Sequence, residues 1–232
     1  MSARPGITAP GAALVTGGAG FVGAELVEQL VAEGWHVTVL DDLSTGRRAH
    51  LADLPAARCR LVVGDVRERG LVARLVRDAP VVFHLACLGV RHSLAEPREN
   101  ADVNAGGTLA LLEAARAAGV TRIVHVSSSE VYGSAVREPM DEDHPTAPTT
   151  VYGAAKLAGE AYARAFHTSF GLPVAIVRPF NAYGPRAHHE GLAGEVIPRF
   201  LLCALAGRAL PIFGDGEQAR DFTWVGDVAH GI

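Results

Sequence analysis

A tyrosine and a lysine lie four residues apart in the segment YGAAK, which runs from Tyr152 to Lys156. In a helix, this spacing places the phenol and the ammonium on one face. A nearby cation favours the tyrosinate, so we expect Lys156 to lower the pKa of Tyr152 and make it a general base. Such pairs also occur by chance, but Lys156 is the only lysine in the chain. Because the chain uses arginine everywhere else, the single lysine indicates that this position requires a compact ammonium group.

A glycine-rich turn, GGAGFVG from Gly17 to Gly23, follows the first apolar run. Glycines there permit a tight turn and let backbone N–H groups and a helix N-terminus approach a pyrophosphate. Asp41 ends the second apolar run 18 residues beyond Gly23, close to the spacing of a ribose-binding carboxylate. A carboxylate there repels a 2′-phosphate, so the pattern favours NAD over NADP, although Arg47 and Arg48 lie nearby. A purely structural glycine turn is the alternative.

Polar side chains also end the next three apolar runs. Asp65 could hydrogen-bond an adenine edge, or could cap the following helix, a position that Asp favours. His84 lies at the carboxyl edge, where ligands of open α/β sheets bind, but we interpret it as a packed core histidine. The fifth run ends in SSSE, from Ser127 to Glu130. A serine hydroxyl there could share a substrate oxygen with Tyr152, whereas for Ser127 we favour a turn with satisfied hydrogen bonds.

The elements that position these residues alternate between short apolar strands and longer helical patterns. This βαβα order predicts the α/β class, a doubly wound parallel sheet of the Rossmann type covered on both faces. The predicted strands are Ala12–Thr16, His36–Asp41, Arg60–Val63, Val81–Leu85, Arg122–Ser127 and Val174–Arg178. The predicted helices are Gly20–Glu33, Arg67–Val76, Asn104–Ala118 and Val151–Phe170.

Three regions follow from this pattern. Residues 1–11 are predicted to be a disordered tail, and residues 12–178 an NAD-binding Rossmann domain. Residues 179–232 are predicted to form part of a smaller substrate-binding lobe. That lobe is expected to contain a helix near Val196–Leu205 and a strand near Leu210–Phe213.

Composition and charge exclude several classes of protein. Hydrophobic residues make up 49% of the chain, which rules out global disorder, and a net charge of -4 argues against a nucleic-acid binder. No apolar run is long enough to cross a bilayer. Three widely spaced cysteines predict neither a disulfide framework nor a zinc site and suit a reducing cytoplasm. The HHE triplet from His188 to Glu190 lacks a suitably spaced further ligand, so no metal is expected.

The ordered motifs resemble the extended short-chain dehydrogenase/reductase superfamily, specifically its NAD-dependent nucleotide-sugar epimerases, dehydratases and decarboxylases. The most similar branch is the UDP-glucose 4-epimerase type. The resemblance runs from about Ala12 to Ile232 and rests on GGAGFVG, DDLSTG, GDV, FHLA, VNAGGT, SSSEVYG, YGAAK, RPFNAYGPR and GDGEQARDFTWVGDV. Such a series is highly specific for the family and less specific for the reaction.

The resemblance implies a role for each matching residue. The catalytic residues it implies are Tyr152, Lys156, Ser128 and Glu130. The residues it implies for NAD are Gly17, Gly20, Phe21, Val22, Gly23, Asp41, Asp65, Val66, Leu85, Ala86, Asn104, Tyr152, Lys156 and Pro179. The residues it implies for the nucleotide sugar are Ser128, Ser129, Asn181, Val196, Phe213 and Arg220, with Asn181 and Arg220 at the diphosphate and Phe213 near the nucleobase. It implies no metal. Arg91 follows the fourth strand and faces the expected substrate cleft, so our hypothesis is that it meets a carboxylate or a phosphate of the substrate.

The implied chemistry begins alike in every branch: Tyr152 removes the proton of the sugar 4-hydroxyl while C4 passes a hydride to NAD. An epimerase returns the hydride to the opposite face, whereas a decarboxylase loses carbon dioxide and a dehydratase expels the 6-hydroxyl. Glu130 matches a glutamate of the decarboxylases and dehydratases. Ser129 replaces the aspartate expected in 4,6-dehydratases, and the segments 194–200 and 214–228 look more like bacterial 4-epimerases. We therefore expect an epimerase first and a decarboxylase second.

The resemblance also bears on partners and on completeness. It implies a UDP-sugar substrate and a homodimer that pairs through the helix of Tyr152 and its neighbour, with no nucleic-acid or membrane partner. Relatives continue beyond the segment matching Asp227–Ile232, so the substrate lobe is expected to be truncated here. If the polypeptide ends at Ile232, a non-catalytic NAD-binding scaffold is an alternative function, because a fold does not fix a function.

Overall fold

The computed structural model describes residues 10–189, 194–212 and 214–232. Its first part is a six-stranded, fully parallel sheet in the order β3-β2-β1-β4-β5-β6. The strands are β1 Ala12–Thr16, β2 His36–Asp41, β3 Cys59–Val63, β4 Val81–His84, β5 Arg122–Val126 and β6 Val174–Val177. This order reverses direction between β1 and β4, so a crevice opens there at the carboxyl ends of the strands.

Helices cover both faces of this sheet. They are α1 Phe21–Ala32, α2 Arg69–Arg77, α3 Val90–Ala95, α4 Pro97–Ala101, α5 Thr108–Ala118 and α6 Val151–Phe170. One core cluster joins α1 to the sheet, and a second joins α2, α5 and α6 to the other face. Short 3₁₀ turns occupy Arg48–Leu51 and Ser129–Val131, and a π-helical turn, Asp102–Gly107, joins α4 to α5. The predicted doubly wound α/β class is confirmed.

A second, smaller sheet follows β6. It pairs β7, Asn181–Tyr183, in parallel with β8, Phe222–Trp224. Helix α7, Val196–Leu205, lies between these strands in the sequence, and α8, Val225–Gly231, packs against both of them. Helix α8 packs on α1, and Gln29 of α1 donates a hydrogen bond to the Gly226 carbonyl at 3.0 Å. Within the described residues, no helix combines the length and apolar character needed to cross a bilayer.

Most predicted strands and helices fall within two or three residues of the observed ones, but the second lobe differs. The strand predicted near Leu210–Phe213 is wrong for residues 210–212, which form no strand, and Phe213 lies outside the described residues. Leu210 and Ile212 are 43% and 64% exposed. Because a strand needs a hydrogen-bonded neighbour, an apolar run alone does not produce one. Of the predicted tail, only residues 10 and 11 are described.

Candidate active site

The glycine-rich turn between β1 and α1 is built so that only glycine fits. Gly17 has a positive φ of 71°, and a Cβ there would lie 2.7 Å from the Ala86 nitrogen. A Cβ at Gly23 would lie 2.1 Å from the Gly17 carbonyl oxygen. Gly20 is the N-cap of α1 and offers no capping side chain, and Phe21 and Val22 form the first helical residues behind it. The helix N-terminus therefore has backbone N–H groups available for an anion.

Asp41 ties the end of β2 to this turn. Its carboxylate accepts hydrogen bonds from the backbone nitrogens of Ala19 and Leu43, each at 2.9 Å. Burial raises the pKa of Asp41, and these two backbone hydrogen bonds partly oppose that rise. Each oxygen retains acceptor capacity beyond its one backbone donor, which suits a ribose hydroxyl.

Asp65, after β3, pairs with Arg67 rather than capping α2. It accepts a hydrogen bond from the Arg67 backbone nitrogen at 2.7 Å and an ion pair from its guanidinium at 2.5 Å. The Arg67 guanidinium lowers the pKa of Asp65. The N-cap of α2 is Glu68, so the helix-cap interpretation of Asp65 is wrong. Val66 is buried against Gly107.

The segment after β4 lies directly against the glycine-rich turn. The backbone nitrogen of Leu85 donates to the Thr16 carbonyl at 3.0 Å, and that of Ala86 donates to Thr16 Oγ1 at 3.2 Å. His84 is fully buried, with its ring nitrogens 2.7 and 2.9 Å from the hydroxyls of Thr16 and Thr108. Burial lowers the pKa of His84 to about 3. It is therefore a neutral core histidine, as interpreted from the sequence.

Tyr152 and Lys156 lie in the first turns of α6, which is capped by Thr150 through a 3.0 Å hydrogen bond from the Gly153 nitrogen. The Lys156 ammonium is buried and donates to the Val126 carbonyl at 2.6 Å. Burial of the Tyr152 hydroxyl raises its pKa well above the ordinary value; Cys87 and Glu130 add to the rise, and a hydrogen bond with Ser128 opposes it. The expectation that Lys156 lowers the pKa of Tyr152 is therefore wrong.

The serine segment after β5 completes this side of the cleft. Ser128 caps the 3₁₀ turn by accepting from the Glu130 nitrogen at 3.2 Å, and its hydroxyl also lies beside Tyr152. Ser129 donates its backbone N–H to the Pro179 carbonyl at 3.1 Å, which joins the segment to the end of β6. Ser127 is buried beside Glu160, but its hydroxyl makes no hydrogen bond of normal geometry with the described residues, so the expected turn with satisfied hydrogen bonds is wrong for Ser127. The structure thus brings together Tyr152, Ser128 and Glu130.

The residues expected at the substrate form two further groups. Arg91 of α3 donates to the Gly194 carbonyl just before Val196, the first residue of α7. Asn181 of β7 donates to the Asp221 carbonyl at 3.2 Å, next to Arg220, which is exposed. Phe213 lies outside the described residues. None of the hydrogen bonds or ion pairs resolved among residues 10–189, 194–212 and 214–232 joins either group directly to Tyr152.

Two residues near the cleft escaped the sequence analysis. Cys87 lies beside the Tyr152 hydroxyl and close enough to Lys156 to influence its charge. The only feature of the sequence that points to Cys87 is its position just after the HLA segment, which begins at the last residue of β4. Glu195 lies next to Arg91. Burial raises the pKa of Glu195 to about 7, and the positive charge of Arg91 partly opposes this rise. Among the described residues, no group of three His, Cys, Asp or Glu side chains is placed to hold a metal ion; Glu190 is not among them.

Comparison with known proteins decides the family. A model of the NAD dependent epimerase/dehydratase family matches residues 13–232. The UDP-glucose 4-epimerase of Mycolicibacterium smegmatis is 42% identical over 219 residues, which cover 93% of this chain and 70% of that protein. This chain belongs to the NAD dependent epimerase/dehydratase family.

Other members of the family with different activities are also similar. The UDP-N-acetyl-alpha-D-glucosaminuronate decarboxylase of Bacillus cytotoxicus is 38% identical, over 92% of this chain and 67% of that protein. The crystal structure of DesIV, a dTDP-glucose 4,6-dehydratase from Streptomyces venezuelae with NAD bound, superimposes with a TM-score of 0.89 at 41% identity. The superimposed region covers 95% of this chain and 70% of the DesIV chain. The family thus establishes an NAD-dependent enzyme of nucleotide sugars.

The residues of this chain fit NAD. The glycine-rich turn leaves no room for a Cβ at Gly17 or Gly23, as close approach of a pyrophosphate requires. The Asp41 carboxylate lies at the end of β2 beside that turn, where an adenosine ribose would bind. A carboxylate at this position favours NAD over NADP, as the sequence predicted.

The turn yields a first testable expectation. Gly23→Ala is expected to abolish NAD retention and to lower the free energy of unfolding by about 3 kcal/mol, because the new Cβ overlaps the Gly17 carbonyl. Gly70→Ala in α2 is the matched control: a Cβ there meets nothing within 4 Å, so stability rises by about 0.5 kcal/mol and NAD binding is unchanged. Urea unfolding and bound-nucleotide analysis measure both. Equal behaviour of the two variants would contradict this role for the turn.

A second expectation concerns the ionisation of Tyr152. Because burial raises its pKa, the phenol of the NAD-free chain stays protonated from about pH 6 to about pH 9. Ultraviolet titration of the NAD-free wild type and of Tyr152→Phe is therefore expected to give the same tyrosinate signal over this range. Extra tyrosinate in the wild type would show that Lys156 alone lowers the pKa of Tyr152.

Proposed function

We propose that this chain is a UDP-sugar 4-epimerase in which Tyr152 is the proton acceptor for the sugar 4-hydroxyl. The observation that carries the proposal is the contact of the Tyr152 hydroxyl with the Ser128 hydroxyl, while the buried Lys156 lies on the same helix as Tyr152, one turn further along. Because these two hydroxyls are neighbours, both can form a hydrogen bond with the same substrate oxygen. The similarity to the mycobacterial UDP-glucose 4-epimerase, at 42% identity, supports the choice of reaction and of nucleotide.

The proposal gives each side chain a task. Tyr152 Oη takes the proton of the 4-hydroxyl, and Ser128 Oγ hydrogen-bonds the same oxygen and fixes its direction. Lys156 uses one N–H on the Val126 carbonyl, which leaves two further N–H donors and the positive charge for the site. NAD, when bound, supplies the hydride acceptor and donor at the sugar C4.

The pKa of Tyr152, the proposed base, lies well above the ordinary value of a phenol. Burial and the neighbouring Glu130 and Cys87 all favour the protonated phenol. A general base works best when its pKa lies near the operating pH. We infer that Tyr152 needs an additional positive charge beside it to act as a base, and the oxidised nicotinamide of NAD would supply such a charge.

Decarboxylation is the second candidate, and one observation favours it. The Glu130 charge acts on Tyr152, so a carboxyl group lies close to the reacting oxygen, and Arg91 could pair with a uronate carboxylate. Ser129 bears no carboxyl group, which lowers the case for the 4,6-dehydratase reaction. A non-catalytic NAD-binding scaffold has no need of the Tyr152, Ser128 and Lys156 arrangement.

Product analysis separates these reactions. The chain is incubated with NAD and, in separate samples, UDP-hexoses, UDP-N-acetylhexosamines and UDP-glucuronate, and the products are followed by proton NMR. We expect a product that differs from its substrate only in configuration at C4. Loss of the carboxyl group of the glucuronate would make the enzyme a decarboxylase and give Glu130 a catalytic role. Absence of any turnover would favour the scaffold.

We also propose a homodimer that pairs through α5 and α6. The exposed part of α6 includes the small residues Ala154 and Ala161, which permit close helix packing. Sedimentation at micromolar concentration is expected to give twice the chain mass of 24.3 kDa, and a monomer would refute the pairing. Three free thiols suit a reducing compartment, and we place the enzyme in the cytoplasm.

A further inference from the structure

The chain leaves β7 through a tight turn whose third residue is an arginine. The turn consists of Gly184, Pro185, Arg186 and Ala187, and the Ala187 nitrogen donates to the Gly184 carbonyl at 3.4 Å. Arg186 has a positive φ of 70°. A turn with proline second and a positive φ third is of type II, and its usual third residue is glycine or asparagine. An arginine in this left-handed conformation is strained, and such strain persists only where other contacts impose it.

The contacts that hold Arg186 come from helix α1. Arg186 Nη1 donates to Glu25 Oε2 at 2.9 Å, and Arg186 Nη2 forms an ion pair with Glu28. The side chains of Arg186 and Glu25 are 23% and 21% exposed, whereas that of Glu28 is 51% exposed. Because solvent screens a partly buried pair less than an exposed one, Glu25 is the principal partner of Arg186.

Helix α1 also holds the chain where it leaves β8. Gln29, one turn after Glu25, donates to the Gly226 carbonyl at 3.0 Å and to Glu25 Oε1 at 3.3 Å. The segments that follow the two strands are in close contact, since a Cβ at Gly184 would lie 2.5 Å from Val225 Cγ1. Strands β7 and β8 are parallel, so both leave the small sheet at the same edge. That edge is therefore attached to α1 at two points.

The segment that contains Arg186 continues to the residues expected at the substrate. Two residues after Arg186, the His188 carbonyl accepts a hydrogen bond from the Glu195 nitrogen at 2.7 Å. Glu195 is the N-cap of α7, whose first residue is Val196, and Asn181 begins β7. The resemblance of the sequence to its family places Asn181 and Val196 at the nucleotide sugar. Helix α1 thus follows the glycine-rich turn that fits NAD and also holds the substrate side.

We propose that Arg186 is a positioning residue, whose ion pair with Glu25 outweighs the preference of the turn for glycine and fixes the small sheet and the start of α7 relative to the glycine-rich turn. The inference goes beyond the proposed 4-epimerisation, because it applies to any reaction of a nucleotide sugar in this cleft. Its consequence for nucleotide binding rests on the substrate roles proposed for Asn181 and Val196.

Arg186→Gly in the full chain distinguishes a turn residue from a positioning residue. If Arg186 only completes the turn, glycine relieves the strain and holds the segment at least as well. If the ion pair fixes the segment, glycine releases it although the turn itself is favoured. Hydrogen exchange of the Glu195 amide is the readout, with the β1 amides as an internal reference. We expect exchange at Glu195 to be at least roughly tenfold faster in Arg186→Gly and the reference to be unchanged.

Two substitutions in α1 provide a matched comparison. Glu25→Gln removes the less exposed carboxylate and is expected to reproduce most of the increase in exchange at Glu195. Combining it with Arg186→Gly is expected to add little, because both changes remove the same ion pair. Glu28→Gln removes the more exposed carboxylate, so exchange at Glu195 is expected to stay within about twofold of wild type.

Nucleotide binding is a second readout, which a change in overall stability alone does not produce. With NAD at saturation, calorimetry is expected to give a UDP affinity at least roughly fivefold lower for Arg186→Gly and for Glu25→Gln than for the wild type. Retention of NAD is expected to be unchanged in both variants, because neither residue belongs to the glycine-rich turn. A chain that shows these effects but epimerises no sugar would refute the proposed reaction and support the role of Arg186.

Three results would overturn the proposal. The first is exchange at Glu195 or an affinity for UDP within about twofold of wild type in folded Arg186→Gly. The second is an equal effect of Glu25→Gln and Glu28→Gln. The third needs no variant: in the wild-type chain, carbodiimide labelling of Glu25 is expected to be slower than that of Glu33, an exposed residue at the end of the same helix. Equal labelling rates would show that the ion pair does not form in solution, even if every variant failed to fold.

Discussion

Tyr152→Phe is expected to lower kcat by about three orders of magnitude, because the change removes the group that we propose as the proton acceptor for the sugar hydroxyl. The phenyl ring keeps the packing of α6, and Lys156 keeps its hydrogen bond to the Val126 carbonyl. NAD retention and the melting temperature are therefore expected to stay close to those of the wild type. Steady-state kinetics with the identified UDP-sugar and a thermal melt measure these quantities.

The matched control for this prediction is Tyr162→Phe. Tyr162 lies on the same helix and packs against the core cluster of α2, α5 and α6, away from the cleft. The Tyr162→Phe variant also loses one phenolic hydroxyl, but Tyr162 does not contact the site. The kcat of this variant is therefore expected to remain within about twofold of wild type. A Tyr152→Phe enzyme with unchanged kcat would remove Tyr152 from the mechanism.

Glu160→Ala is expected to destabilise the chain by about 3–5 kcal/mol. Glu160 is 0% exposed and pairs through both oxygens with Arg178, at 2.8 and 2.6 Å. The Arg178 guanidinium is only 11% exposed and also lies over the Tyr132 ring. Removing Glu160 leaves this cation buried without its carboxylate, and urea unfolding measures the loss.

Arg164→Ala provides the control, because Arg164 pairs with the same carboxylate from a side chain that is 57% exposed. A solvent-screened pair of this kind contributes about 1 kcal/mol or less. Arg178 and the other cations lower the pKa of Glu160. The pair therefore stabilises the fold above the ordinary pKa of glutamate, and this stability is lost as the pH falls through the lowered value. Equal destabilisation by the two variants would contradict the buried pair.

Much of the first lobe could be predicted because its strands are continuous apolar runs. The six strands follow from these apolar runs, because burial on both faces of the sheet makes them continuously apolar, and α6 follows from its helical spacing. The three-residue strands β7 and β8 show no such pattern, because three residues are too few to display a period. The π-helical turn was missed because the apolar spacing across Asn104 is still that of an ordinary helix.

The candidate site was predicted less completely than the fold. Spacing identified Tyr152 with Lys156, and Gly17 with Asp41, because these pairs depend on helix geometry and on strand order. The direction of the Tyr152 pKa shift depends on desolvation and on Cys87, which approaches from the segment after β4. Neither is encoded in local spacing, so only the three-dimensional arrangement shows that the free phenol resists ionisation.

The most direct test of the proposed 4-epimerisation is the fate of a deuterium atom at C4 of the UDP-hexose that the NMR panel identifies as substrate. If Tyr152 takes the hydroxyl proton while hydride leaves and returns at C4, the product has the opposite configuration and retains its deuterium at C4. Deuterium found at C6 would indicate a dehydratase. Deuterium lost to solvent would contradict hydride transfer to NAD and with it the account given for Tyr152.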